Sequence, residues 1–201
     1  MKFTSKQIAL IAINFALITV LTFIGLKPIF GIINIAVLSL IGILVAVQVF
    51  GFGVGVITTT YFGLLSLINS FISPSGILYP YLQNPLISVF PRALIGVTAY
   101  FSYKFFSRLF SGSEAPFVRN ILPSALSAAV GVITNTVFVL GLMSLLYGTD
   151  VVSTSTGAMP LNTFLAGIIA TNTLIELAGC ILFVPPIVYA LGKAKIGLNK
   201  V

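Results

Sequence analysis

The sequence predicts an all-α membrane protein: a bundle of six transmembrane helices with both termini in the cytoplasm. Three observations carry that prediction. Hydrophobic side chains make up 58% of the 201 residues and charged ones only 6%, against roughly 25% charged residues in an average soluble domain. Uncharged apolar runs recur at lengths suited to a hydrocarbon layer about 30 Å thick, which takes about 20 residues of helix to cross. The ten Lys and Arg residues are also unevenly shared between alternate connections, as cytoplasmic ends of membrane helices require. A barrel would instead show alternation over strands of about ten residues.

Taken in order, the spans fall at 6–25, 33–50, 54–72, 86–106, 121–147 and 160–192. Lys2 and Lys6 ahead of the first apolar run resemble the start of a signal peptide, but no small-x-small cleavage site follows before Lys27, so the segment reads as a retained first helix. Gly51, Gly53 and Gly55 break the second span from the third, and Ser73, Pro74, Ser75 and Gly76 close the third. Pro80, Asn84 and Pro85 prepare the fourth, the polar stretch 111–116 separates it from the fifth, and the Ser- and Thr-rich stretch 148–157 forms the last loop. Six spans gather Lys2, Lys6, Lys104, Arg108, Arg119, Lys193, Lys195 and Lys200 on one side and leave Lys27 and Asp150 on the other. The positive-inside bias then places both termini in the cytoplasm. Residues 1–201 read as a single membrane-embedded domain without internal repeats.

The same residues exclude several kinds of chemistry. The chain has no histidine and one cysteine, which removes Ser-His catalysis, HExxH zinc, histidine-ligated haem and iron-sulfur sites. Cys180 sits in an apolar run and suits packing. Gly51-Phe52-Gly53-Val54-Gly55 lacks the Lys-Ser/Thr pair or the spaced third glycine of a phosphate cradle. With no nucleotide motif, ATP-driven work requires a partner and no cofactor is expected on this chain. The net charge of +7 is not arranged as a nucleic-acid-binding stripe. Three acidic residues are too few for a proton relay, so the chain is not expected to be an enzyme.

Polar residues within the spans are therefore the candidate functional groups. Arg92 follows Pro91 at a depth of about 9 Å by rise per residue, and either snorkels to the outer face or offers its guanidinium fork to an anionic group. Asn172, Glu176 and Gly179 share one face of the sixth helix by their spacing. Asn135 follows Gly131 and Ala128 on a surface small enough for close helix approach, so both asparagines could equally join helices. Equal helix starts leave Arg92 and Glu176 about 15 Å apart in depth. Tyr61, Tyr79, Tyr81 and Phe90 cluster at the outer ends, either belting the interface or lining a pocket. Ala12-x-x-x-Ala16, with Ala9 one turn earlier, lets another helix approach the first closely.

In length, span number, basic cytoplasmic ends and the stretch Leu82-Gln83-Asn84-Pro85-Leu86-Ile87-Ser88-Val89-Phe90-Pro91-Arg92-Ala93-Leu94-Ile95-Gly96, the chain resembles the substrate-binding S components of energy-coupling factor vitamin transporters. The resemblance implies a carrier in the bacterial cell membrane. It would capture a vitamin from outside and dock on a transmembrane coupling protein with two ATPase subunits, which use the ATP. It maps Ala12 and Ala16, with Ala9 a neighbour, to the coupling-protein contact, places Lys27 and Asn34 at the flanks of a gating loop, and counts Asn34 among the substrate-binding residues. Tyr79, Asn84, Arg92, Asn135 and Asn172 become ligand contacts, with Glu176 beside them.

An inward arginine with several amide side chains suits a small hydroxylated carboxylate, and the Asn-Pro and Pro-Arg-x-Leu-Ile-Gly stretches resemble the pantothenate-type branch. The absence of tryptophan disfavours the flat rings of thiamine and folate. A hydroxymethylpyrimidine remains the alternative ligand, with Glu176 accepting from its amino group. A small scaffold protein of the cell envelope, or a stand-alone secondary transporter, remains the alternative of another class.

Overall fold

A computed structural model describes residues 5–25, 36–72, 77–154 and 157–194. Six helical segments of bundle length appear in it. They are α1 (Ser5–Gly25), α2 (Ala36–Phe50), α3 (Phe52–Ile72), α6 (Phe90–Leu109), α8 (Leu122–Tyr147) and a composite last helix. The last one runs as α9 (Leu161–Ile168), a π-helical turn (Ile169–Thr173) and α10 (Leu174–Lys193). Short helices α4 (Tyr79–Leu82), α5 (Pro85–Ser88) and α7 (Pro116–Asn120) serve the connections. Four segments, 52–72, 85–109, 122–147 and 161–193, are long and apolar enough to cross a membrane, and 11–23 and 37–50 are shorter apolar helices. The chain is thus an α-helical membrane protein.

The elements follow from local chemistry. Gly51 joins α2 to α3 at φ 84°, a left-handed backbone that glycine adopts without a Cβ penalty. Gly53 and Gly55 do not belong to this turn but lie inside α3, which begins two residues earlier than the sequence pattern suggests. Gly55 works in packing instead, since a Cβ there would stand 2.9 Å from the Val47 backbone. Asn84 caps α5 by accepting from the Leu86 N–H at 3.0 Å, with Pro85 in the first position, where a missing N–H costs nothing. The last loop holds a feature the sequence did not disclose. Strands β1 (Val151–Thr154) and β2 (Gly157–Pro160) pair antiparallel, with Val151 opposite Pro160 and Thr154 opposite Gly157.

Helix α6 packs between α3 and α8, α10 lies against α8 and α2, and α1 covers α2 and α3. Close approach depends on small residues, as bundles in lipid require. A Cβ on Gly96 would meet Thr59 Oγ1 at 2.5 Å and the Val56 backbone at 2.9 Å. Buried hydroxyls and amides tie the helices across these seams. Ser124 donates to Gln48 Oε1 at 2.6 Å, Ser127 to the Ala99 carbonyl at 2.7 Å, and Thr98 and Thr134 hydroxyls meet at 3.0 Å. Helix α1 is held by Thr19 against the Tyr61 hydroxyl at 2.8 Å and by Asn14 donating to the Gly42 carbonyl at 3.3 Å.

Gly96→Ala should lower stability by roughly 1–3 kcal/mol, because backbone on α3 has no room to yield. Gly141→Ala, with nothing within 4 Å of the added Cβ, should be neutral or slightly stabilising through helix propensity. Thermal unfolding of the two detergent-solubilised variants checks the contrast.

Candidate ligand-binding site

Proline at position 91 sets the geometry of the site. The carbonyl of Ile87 would ordinarily accept from the residue four positions on, but Pro91 has no N–H to give. Arg92 replaces the missing donor: its Nη1 donates to Ile87 O at 2.6 Å. The side chain is 8% exposed and is therefore fixed at the α5–α6 junction rather than stretched to the surface. Gly63 on α3 makes room for this junction, since a Cβ there would come within 3.0 Å of Ser88 O and 3.1 Å of Arg92 Cβ. Ser88 hydroxyl donates to Leu82 O, which ties α5 back to α4. The Arg92 Nε, also buried, has no hydrogen-bond partner.

Arg92 lines a cavity of about 150 Å³. Its walls come from Leu21 and Thr22 at the end of α1, Ser39 and Leu40 at the start of α2, and Phe62 and Ser66 in the second half of α3. Leu78 and Leu82 cover it beside α4, Asn135, Thr136, Val139, Leu140 and Met143 line it from α8, and Ile168, Asn172, Thr173 and Glu176 line it from the last helix. These positions all lie toward the end of the bundle that carries the α1–α2 and α3–α4 connections and the β-hairpin. Apolar side chains dominate, and a few polar groups converge, the usual composition of a small-molecule site.

Of the residues singled out from sequence, Arg92, Asn135, Asn172 and Glu176 come together on this cavity. The sequence spacing separates Arg92 from Glu176 in depth, yet both reach the same cavity, close enough to interact electrostatically. Asn135 Oδ1 is buried without a partner. The π-helical turn carries Asn172 and Thr173, so the simple helical spacing from Asn172 to Glu176 is not the one the chain uses. Such turns widen a helix locally and are frequent at functional sites. Thr173 meets the Thr136 hydroxyl at 3.4 Å across to α8. Phe62, Ser66, Thr136 and Thr173 carry no sequence signal that separates them from ordinary packing residues.

Two expected ligand contacts lie elsewhere. Tyr79 is buried off the cavity wall, and Asn84 is engaged as the α5 cap and donates to the Tyr147 hydroxyl at 3.2 Å. Lys27 and Asn34 fall outside the described residues. Ala9, Ala12 and Ala16 are exposed along α1, away from the cavity.

Above the cavity, the Tyr81 and Tyr147 rings pack at 5.1 Å, and the Tyr81 phenol lies close enough to the Asp150 carboxylate to feel its charge. Asp150 also anchors the hairpin, its carbonyl accepting from Leu161 N at 2.8 Å. The roof formed by Leu78 and Leu82 is thereby joined to the last loop.

The chain matches the family model described as ECF transporter, substrate-specific component, over residues 6–188. It belongs to that family. This S component is accordingly the substrate-specific part of a membrane transporter and not an enzyme. Among its relatives is the pantothenic acid transporter PanT of Lactococcus lactis subsp. cremoris (strain MG1363), 35% identical over 109 residues. That match covers 54% of this chain and 46% of the relative, so it spans about half the length of each.

Burial, followed by the Asp150 charge, holds the Tyr81 phenol above its ordinary value of 10.0. A neighbouring carboxylate disfavours the phenolate, so Asp150→Asn should let Tyr81 ionise at lower pH. Titration of phenolate absorbance, with Tyr81→Phe subtracted, reads the shift.

Proposed function

We propose that this S component captures pantothenate in the cavity beside Arg92 for import into a bacterial cell. The observation that carries the reading is the buried Arg92 guanidinium, which has one N–H committed to Ile87 and its Nε without a partner. A carboxylate is the group that completes it, since charge-assisted bonds to guanidinium are short and strong. Pantothenate offers that carboxylate at one end, and an amide and two hydroxyls along its length to meet Asn135, Asn172, Thr136 and Glu176. The description of the Lactococcus relative as a pantothenic acid transporter supports the same ligand.

In this reading all six bundle helices span the plasma membrane, both termini are cytoplasmic and the cavity opens outward. The basic residues Lys104, Arg108, Arg119 and Lys193 then meet the cytoplasmic face. The chain binds no cofactor; a transmembrane coupling protein and two ATPase subunits supply the energy. The exposed Ala9, Ala12 and Ala16 face is the surface on which the coupling protein packs, small residues permitting close helix contact.

Isothermal titration of ligand-free, detergent-purified protein with pantothenate tests the reading. Wild type should bind tightly, and Arg92→Ala should weaken binding roughly tenfold to a hundredfold, the equivalent of about 1.5–3 kcal/mol for a hydrogen bond to a charged group. Equal affinity in the variant contradicts the carboxylate assignment, and tight binding of a hydroxymethylpyrimidine instead changes the substrate.

Ala12→Leu with Ala16→Leu should leave pantothenate binding intact while reducing uptake in cells that supply the coupling module. Lost binding with normal assembly of the complex would contradict that division of labour.

A further inference from the structure

The charge balance of the cavity carries a consequence for how an anion enters it. Among the described residues, Arg92 and Glu176 are the two charged side chains on the cavity wall. With both ionised, the empty cavity is neutral. Other titratable groups near Glu176 do not alter the sum. Cys180, one turn further along α10, is a fully buried thiol. Helix α2 has no ionisable side chain over 36–50, and α8 has only Tyr147 at its far end, where its hydroxyl accepts from Asn84. Asp150 is exposed and lies beside Tyr81.

A ligand carboxylate that takes the free Nε of Arg92 becomes a second anion sharing one cation. Arg92 and Glu176 share one cavity walled mainly by apolar side chains, so a ligand carboxylate brought to Arg92 is repelled by an ionised Glu176, and a proton on Glu176 relieves that repulsion. Arg92 cannot relieve the imbalance, since its guanidinium already carries its full positive charge and has no site for a further proton. Glu176 can.

We infer that the ligand anion is bound together with one proton, which Glu176 carries in the loaded state. The inference rests on the anionic-ligand reading given above. The proton comes from solvent and forms the O–H bond of the Glu176 carboxyl; no other bond changes. The cavity holds zero net charge before binding, from Arg92 and ionised Glu176, and zero after, from Arg92 and the ligand carboxylate. Once protonated, Glu176 also becomes a hydrogen-bond donor, able to face an acceptor such as a ligand amide oxygen. The carrier thus discriminates by charge: a monoanion is accepted with its proton, whereas a dianion would leave a charge uncompensated.

Proton counting tests this. Wild type is titrated with pantothenate in phosphate and in Tris, whose ionisation enthalpies differ, at several pH values from neutral upward. The expected result is uptake of about one proton per ligand where Glu176 is ionised in the free protein, with affinity falling toward tenfold per pH unit. Glu176→Gln alters a ligand contact and so shifts the affinity, but the binding it retains should show no proton uptake and little pH dependence. Tight wild-type binding with no proton uptake at any of these pH values overturns the linkage while leaving the carrier reading intact. Proton uptake that persists in Glu176→Gln overturns the assignment to Glu176. Failure of folded wild type to bind pantothenate overturns the inference together with the reading beneath it. The wild-type measurement stands by itself if the variant does not fold.

Discussion

A guanidinium held away from water needs hydrogen-bond partners, and at Arg92 the protein supplies only part of the set. The first partner exists because Pro91 deprives the Ile87 carbonyl of its helical donor, and Arg92 Nη1 fills the vacancy. This local repair pins the side chain inward at the head of α6. Gly63 then lets α3 lie against the junction, and Ser88 ties it to the roof helix α4. Nε is left unsatisfied. In a natural structure such a group has a reason, and the proposed ligand carboxylate would supply its missing partner.

The rest of the cavity follows from how an apolar bundle tolerates polar groups. In the half away from the cavity, Gln48, Ser124, Ser127 and the Ala99 carbonyl satisfy one another across α2, α6 and α8, so the helices are tied together there. In the other half, Asn135 Oδ1 remains open, and the π-helical turn brings Asn172 and Thr173 to the wall. The division between a self-satisfied half and a half with unpartnered polar groups is what marks one end of the bundle as the candidate binding site.

Much of this was legible in the sequence, for physical reasons that differ by feature. Helix positions follow from runs of apolar residues, and the expected spans agree with the helical segments to within a few residues. Gly51 marks its turn because only a glycine sits easily at φ 84°. Arg92 stands out because charge inside a span is costly. Gly53 and Gly55 misled because a glycine at a helix seam looks like a glycine in a turn. Asn84 stands out in the sequence as a polar residue before a proline, and the structure uses it as the α5 cap, off the cavity wall. Strands β1 and β2 are only four residues each and lack the sustained alternation that announces a strand. The π-helical turn has no sequence signature at all, and it changes which side chains face inward. Ser66 and Thr136 are indistinguishable from packing residues until the walls are assembled.

The deciding experiment is a structure of the protein with pantothenate bound. A ligand carboxylate oxygen is expected within hydrogen-bond distance of Arg92 Nε, with the Nη1 bond to Ile87 O retained. Pantothenate bound with its carboxylate away from Arg92, or outside the cavity between α3, α6, α8 and α10, would contradict it.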